Sequence, residues 1–173
     1  MKKTICLLVF VFAFISVRAA KVDTLQVFSA SMQKNIKACV ITPDGYKKRN
    51  KKFPVVYLLH GYGGNYATWL KSFKEVKRQV DQYGFIVVGV DGNHSSWYFD
   101  SPIDSTFKYE TYIINELVPF IDKKYKTIPT REARGISGLS MGGHGALYLS
   151  FKHQELFGAA GSMSGGVDFR PFS

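Results

Sequence analysis

The stretch from Arg134 to Leu147, RGISGLSMGGHGAL, decides both the fold and the candidate chemistry. Its first residues are predicted to form a short strand and its last residues a helix. Between them, Gly138, Ser140 and Gly142 form the pattern Gly-x-Ser-x-Gly. Such a turn holds a serine in a strained conformation with its hydroxyl exposed, while the flanking glycines let strand and helix pass closely. We therefore predict that Ser140 is a nucleophile.

Two backbone N–H groups are predicted to stabilise the negative oxygen that forms when Ser140 attacks an acyl carbon. The first belongs to Met141, at the positive end of the helix that follows the turn. The second is predicted in LLHGYGGN, residues 58–65, where glycines let the loop fold back so that the amide of Tyr62 meets that of Met141. His60, in the same loop, is expected to organise the loop rather than to carry a proton.

The remaining elements place this turn in a sheet. TLQVFSAS and NIKACVITP alternate apolar and polar residues and predict two antiparallel strands. PVVYLLHG and GFIVVGVDG are apolar on both faces, which is typical of central parallel strands. Helices are predicted over 69–83 and over 109–125, the second kinked at Pro119, and a last strand in FGAAGSMSGG. The order β-β-β-α-β-α-β-α-β predicts an α/β fold.

Composition limits the functions that are plausible. At 173 residues and 46% hydrophobic content, the chain fits one globular domain. The formal net charge is +10, and much of the basic excess lies in YKKRNKK, residues 46–52. That run is typical of a solvated loop, and no nucleic-acid-binding motif accompanies it, so we predict no nucleic-acid partner. No Cys/His cluster has metal-ligand spacing, and we expect neither a metal nor an organic cofactor.

Residues 1–20, MKKTICLLVFVFAFISVRAA, have the build of a secretory signal peptide. Val17 and Ala19 fit the −3 and −1 positions, which predicts cleavage after Ala19. An uncleaved membrane anchor is the alternative, but the apolar run is short for a span of about 20 residues. We expect a signal peptide over 1–19, a mature domain over 20–173 without stable membrane insertion, and a secreted or periplasmic location. Cys39 is then the remaining cysteine and is predicted to be a buried small residue.

Four motifs occur together in one order: YLLHGYGGN, VGVDGNHSSWYFDS, KYETYIINELVPFID and GISGLSMGGHGALYLSFKHQELFGAAGSMSGG. They cover most of residues 53–166. With them the sequence resembles the putative esterase (esterase D-like) branch of the α/β-hydrolase superfamily, which includes S-formylglutathione hydrolases, tributyrin, feruloyl and acetyl-xylan esterases, and mycolyltransferases. The resemblance implies an α/β-hydrolase fold with a mostly parallel central sheet and helices on both faces.

The resemblance also implies roles for individual residues. Ser140 matches the nucleophile of the family, and the amides of Met141 and Tyr62 match the oxyanion donors. Four further residues are predicted to border the substrate pocket: His60, Gly61, Trp97 and Tyr98. The two aromatic residues among them match a pair that lines the acyl or alcohol pocket, although core packing is an equally good interpretation of both.

A serine nucleophile needs a histidine to take its proton and a carboxylate to orient that histidine. The superfamily order is Ser, then Asp or Glu, then His, and only His144 and His153 follow Ser140. The first would lie one helical turn away on the packing side, and the second roughly 15–20 Å along the helix. Neither is expected to be the base, and Asp91 and Asp168 fit turn and loop residues better than a triad acid.

We therefore expect an amino-terminal part of an esterase domain, with the C-terminal strands and the triad Asp/His missing and little activity alone. A short relative that has lost catalysis is the alternative to a fragment. The leading hypothesis is a secreted serine carboxylesterase that forms an acyl-enzyme on Ser140 and acts on acyl esters such as acetyl or feruloyl groups of polysaccharides. Two other functions stay open: a non-catalytic secreted carbohydrate-binding relative, and an acyltransferase that uses the same nucleophile.

Overall fold

The computed structural model describes residues 19–48 and 50–168. Six strands form one sheet, in the spatial order β1-β2-β4-β3-β5-β6. Their bounds are β1 Lys21–Ser29, β2 Lys34–Thr42, β3 Val55–Leu59, β4 Ile86–Val90, β5 Arg134–Leu139 and β6 Ala159–Met163. The predicted signal peptide, apart from Ala19, lies outside the described residues.

The sheet is antiparallel at one side and parallel across the rest. β1 pairs antiparallel with β2, and β2 pairs antiparallel with β4. β4, β3, β5 and β6 then run parallel, each crossover being covered by helix. Because the carboxyl ends of parallel strands meet at one edge, the loops after β3, β4 and β5 converge there. The mostly parallel sheet, predicted from the apolar runs and the order of the elements, is confirmed.

The segment between β3 and β4 contains two helices, α1 Thr68–Ser72 and α2 Val76–Tyr83. The prediction of one continuous helix over 69–83 is therefore wrong. Phe73 ends α1 with φ −114° and ψ 83°, outside the helical region. The interruption allows each helix its own contact. In α1 the indole N–H of Trp69 donates to the carbonyl of Leu59 at 3.0 Å. In α2 the side chains of Val76 and Val80 are buried.

The long helical segment before β5 is continuous but not uniform. It comprises α3 Tyr109–Thr111, a π-helical stretch Tyr112–Leu117, and α4 Val118–Lys124. The N–H of Val118 reaches back to the carbonyl of Ile113. Pro119 follows directly and has no N–H to donate, so the predicted irregularity takes the form of a π turn that widens the helix just before the proline.

The sheet is packed on both faces. The larger core cluster includes Tyr57, Leu59, Val88 and Ile136 from the central strands and the buried side of the long helical segment. The second cluster lies on the other face and comprises Ala20, Cys39, Ile41, Val76, Val80 and Val87. Cys39 is buried there, and desolvation raises the pKa of its thiol, as expected for a small core residue.

The elbow helix, α5 Met141–Lys152, follows β5 after one residue and packs against β3, β5 and β6. A short 3-10 turn, Arg131–Ala133, leads into β5. β6 closes the described sheet, and four of its five residues are exposed. Across residues 19–48 and 50–168, none of the helices has the length and apolarity that crossing a bilayer would require.

Candidate active site

Ser140 is the single residue between β5 and α5, and its backbone is strained. Its φ of 55° and ψ of −118° lie outside the regions that non-glycine residues favour, and the residue is exposed. Its N–H donates to the carbonyl of Met163 on β6 at 2.8 Å, and its own carbonyl accepts from the N–H of His144 at 3.0 Å. The turn is thus fixed at both ends and presents the hydroxyl outward.

The glycines of the motif are required by close backbone approach. A Cβ on Gly138 would lie 2.8 Å from the Cα of Gly142, and still closer to its carbonyl group. A Cβ on Gly142 would lie 2.7 Å from the carbonyl oxygen of His60. Real Cβ atoms do not come this close to backbone, so any side chain here would push α5 away from β3 and β5 and displace the serine.

The two predicted oxyanion donors lie beside this turn. Met141 begins α5, where a backbone N–H has no intrahelical acceptor. The loop after β3 passes against the serine, because an ideal Cβ on Gly61 would lie 3.5 Å from the Cβ of Ser140. Within that loop the N–H of Gly63 donates to the backbone carbonyl of His94 at 2.9 Å. The N–H of Gly64 donates to the carbonyl of Gly61 at 3.0 Å.

Those two N–H groups of the loop are therefore engaged with backbone acceptors, whereas Tyr62 sits at the tip, next to Gly61. The Tyr62 side chain is 62% exposed, and its ring packs edge-on against His94 with centroids 4.4 Å apart. This packing ties the loop after β3 to the loop after β4. That the Tyr62 amide faces an oxyanion opposite the amide of Met141 stays a prediction.

His60 holds these loops from below. The N–H of Gly92 donates to its Nε2 at 2.9 Å, so Nδ1 carries the proton and donates to the carbonyl of Gly61 at 2.7 Å. Burial lowers the pKa of the His60 imidazole and keeps it neutral. The side chain is only 1% exposed and contacts loop backbone. Its predicted place at the border of the substrate pocket stays a prediction.

Tyr98, for which pocket and core were equal interpretations, packs in the core. Its side chain is fully buried in the larger core cluster, and its hydroxyl donates to the carbonyl of His60 at 2.9 Å. Its ring fills the space that a Cβ on Gly92 or Gly145 would need. Burial raises the pKa of the Tyr98 phenol well above its ordinary value, so the group stays a neutral donor.

Trp97 differs from its neighbour because it stays partly exposed. Trp97 and Tyr98 both have positive φ, 54° and 65°, in a sharp turn of the loop after β4. Trp97 therefore turns toward α5, where its ring meets that of His144 edge-on with centroids 5.4 Å apart. Since His144 lies one turn after Ser140, this contact places Trp97 near that turn, and its predicted role at the pocket stays a prediction.

The two histidines after Ser140 contact other partners. Nδ1 of His144 donates to the carbonyl of Gly166 at 2.9 Å, and its ring stacks on Tyr148. Nε2 of His153 donates to a carboxylate oxygen of Glu110 at 2.8 Å. Among the described residues, the hydroxyl of Ser140 has no histidine within hydrogen-bonding distance. Asp91 accepts from the N–H of Asn93 at 2.9 Å, as expected of a turn residue.

Sequence reasoning missed Glu110, a buried carboxylate on α3 that holds the elbow helix. It accepts from Tyr148 Oη at 2.7 Å, from Lys152 Nζ at 2.9 Å and from Nε2 of His153 at 2.8 Å. Burial alone would raise the pKa of Glu110, but these hydrogen bonds outweigh it and the pKa is lowered. The spacing of Tyr148 and Lys152 by one helical turn was the available signal, though it did not indicate their partner.

Other possible sites lie away from this edge. A cavity of about 700 Å³ lies near the start of β1 and the loop after β2, lined among others by Lys21, Asp23, Tyr46 and Tyr125. Ile41, near the end of β2, pairs with Val87, near the beginning of β4. The cavity therefore lies by the amino ends of the parallel strands, whereas Ser140 lies at their carboxyl ends. In the part of the chain that the structure describes, no group of His, Cys, Asp and Glu side chains is placed to hold a metal ion.

Strand order, a strained serine at the strand-to-helix turn and a glycine loop beside it are together typical of the α/β-hydrolase fold. Comparison with known proteins agrees. The model of the family described as "Putative esterase" matches residues 29–171. The chain belongs to this esterase family.

Individual relatives share the same region. An esterase of Mycobacterium tuberculosis is 33% identical over 134 residues, which are 76% of this chain and 29% of that protein. A diacylglycerol acyltransferase/mycolyltransferase of Mycobacterium gordonae is 33% identical over 156 residues, 85% of this chain and 43% of that protein. A solved ferulic acid esterase superposes with a TM-score of 0.76 at 34% identity, over 86% of this chain and 60% of that one. The chain therefore spans less than two thirds of each.

Proposed function

We propose that the protein is an exported carboxylic ester hydrolase that works through an acyl-enzyme on Ser140. The observation that carries the proposal is the exposed serine at φ 55° and ψ −118°, fixed between β5 and α5 beside two loops that converge on it. Backbone strain of this kind is costly and persists where function requires it. Membership of the esterase family supports the same reaction class.

In the proposed mechanism, the Ser140 oxygen attacks the ester carbonyl carbon, and the electron pair of the C=O bond moves onto the carbonyl oxygen. The N–H groups of Met141 and Tyr62 donate to that oxyanion. Loss of either donor would raise the activation barrier by about 3 kcal/mol. The serine proton passes to a base and then to the departing alkoxide, which leaves as an alcohol. Water next attacks the acyl-serine ester, releases the carboxylic acid and restores the serine hydroxyl.

The base and its orienting carboxylate are assigned to residues other than those described. All four histidines of the sequence are described: His60, His144 and His153 are engaged with loop backbone or with Glu110, and the ring of His94 packs against Tyr62. The relatives are longer than this chain, and we place the base in the length of those relatives that this chain does not span.

For the substrate, we propose acetyl or feruloyl esters of polysaccharides. The related ferulic acid esterase supports this class. The aromatic side chains of Tyr62, Trp97 and Phe99 also border the site or its loops and retain exposed surface, which suits a flat acyl group or a sugar ring. Export, proposed from the signal-peptide pattern of residues 1–19, would bring the enzyme to such substrates.

Acyl transfer is a second candidate, favoured by the related acyltransferase. The first half of the reaction would be identical, and an alcohol would replace water in the second. Adding glycerol or a sugar to the assay and analysing the products distinguishes the two: a new ester indicates transfer, and free acid alone indicates hydrolysis. A protein that binds saccharide but never acylates Ser140 would instead be a binding module.

The direct test is hydrolysis of 4-nitrophenyl acetate and methyl ferulate by the protein as its gene encodes it. We expect Ser140→Ala to reduce kcat at least about a thousand-fold. The matched control is Ser72→Ala, at an exposed serine that ends α1, and it should keep the parent rate. Equal rates for Ser140→Ala and the parent would contradict the proposal.

A further inference from the structure

The predicted cleavage point lies directly before a buried residue. Ala19 is exposed, whereas Ala20 is only 6% exposed and belongs to the second core cluster with Cys39, Ile41 and Val80. β1 begins at the next residue, Lys21. The bond between Ala19 and Ala20 thus joins the segment predicted to be removed to a residue that is buried in the described fold.

The nitrogen of Ala20 already contacts a carboxylate. It donates to Oδ2 of Asp81 on α2 at 2.8 Å, and the other oxygen of that carboxylate accepts from the N–H of Asp44 at 2.7 Å. Asp81 is half-buried. Within residues 19–48 and 50–168, Lys, Arg and His side chains all lie beyond ion-pairing distance of Asp81, so its charge is met by two neutral N–H groups.

We propose that export cleavage between Ala19 and Ala20 creates an α-ammonium group that Asp81 binds as an ion pair, so that Asp81 is the receptor for the mature amino terminus. An export peptidase would hydrolyse the Ala19–Ala20 peptide bond with one water molecule. The hydroxyl of that water goes to the carbonyl carbon of Ala19 and a proton to the nitrogen of Ala20. At neutral pH the new acid then loses a proton and the new amine gains one.

The product fits the site without rearrangement, because the nitrogen that becomes charged is the one already 2.8 Å from the carboxylate. A charge-assisted hydrogen bond replaces a neutral one, and such bonds are roughly twice as strong. Since Ala20 is buried in the folded chain, cleavage must precede its packing. Once packed, the terminal residue is protected from aminopeptidases.

This inference rests on the proposed export but not on ester hydrolysis, and its tests do not involve the esterase reaction. First, the intact mass of the protein recovered from outside the cytoplasm gives its first residue. We expect Ala20. A protein that begins at any other residue would overturn the assignment of the amine.

Second, the unfolding temperatures of four proteins test whether the ion pair stabilises the fold. Two chains begin at Ala20 and two at Ala19, and one of each pair carries Asp81→Asn. The longer chain is the matched control, because it keeps the Ala20 N–H as a neutral donor and moves the amine to an exposed residue. We expect the chain beginning at Ala20 to melt about 2–4 °C higher than the control, and this difference to vanish with Asp81→Asn.

A difference of the same size with and without Asp81→Asn would contradict the ion pair. If the substituted chains do not fold, the comparison of the two starting points with Asp81 intact still decides, because equal unfolding temperatures would overturn the proposal. Glu75→Gln removes one exposed carboxylate next to the same helix and should leave the difference unchanged.

Discussion

Gly138 lies against the backbone of Gly142, so that a Cβ on the first would come within 2.8 Å of the Cα of the second. Strand β5 and helix α5 meet at this contact, and the strained conformation of Ser140 between them depends on it. The backbone conformation of Ser140 therefore depends on the absence of two side chains, and this dependence can be tested by adding one.

We predict that Gly138→Ala lowers the free energy of unfolding by at least about 2–3 kcal/mol, because the new methyl group would overlap backbone. Gly135→Ala in the same strand is the control, since its Cβ would meet only ordinary contacts, the nearest being 3.7 Å from Ala159 and Val56. Urea unfolding of both variants measures the difference. Equal stability of the two would mean that the close approach is not required.

The Glu110 carboxylate is expected to stabilise the position of α5. Glu110→Gln should reduce the free energy of unfolding by about 1–2 kcal/mol, mostly through Tyr148 and His153, since Lys152 is half exposed and screened by solvent. Because the pKa of Glu110 is lowered, its contribution is present above the ordinary value of 4.5 and is lost as pH falls through the folded pKa.

Chemical denaturation from pH 7 down to pH 3 measures this contribution, which the variant should lack. Glu155→Gln is a suitable control: that side chain is 73% exposed and faces the other ring nitrogen of His153. An effect of Glu155→Gln as large as that of Glu110→Gln would show that burial of Glu110 does not matter.

The burial of His60 predicts a pH dependence of protein stability in a higher pH range than that of Glu110. Its pKa is lowered by burial from an ordinary value of 6.5, so the unfolded chain binds a proton before the folded one does. Stability should therefore fall as pH drops below about 6.5, because a protonated ring could no longer accept from Gly92. His60→Gln should show a flatter curve between pH 6.5 and 5, whereas His94→Gln, at an exposed position, should follow the parent. A parent-like slope in His60→Gln would refute this assignment.

Much of the sheet and the nucleophile turn could be predicted, because each has a local signal. Continuous apolar runs indicated β3 and β4, and Gly-x-Ser-x-Gly indicated the turn between β5 and α5. The interruption at Phe73 could not be seen, since the apolar spacing continues through it. It arises from two separate tertiary contacts, one by Trp69 and one by Val76 and Val80.

The surroundings of the site were harder to predict, because they depend on residues distant in sequence. Tyr98 adjoins a polar loop and has no periodic pattern, yet it is buried by its contacts with Gly92, Gly145 and the carbonyl of His60. Glu110 meets partners that lie 38, 42 and 43 residues further along the chain. Only the folded chain, which brings Glu110 on α3 beside the end of α5, joins them.

The central claim is that Ser140 is a nucleophile, and covalent labelling by a fluorophosphonate probe tests it most directly. The probe is attacked at phosphorus by an activated serine, and the adduct is located by peptide mass spectrometry. In the protein as its gene encodes it, the account predicts one adduct on the peptide that contains Ser140, lost in Ser140→Ala and kept in Ser72→Ala. An unlabelled Ser140 in a folded protein that hydrolyses esters would contradict it.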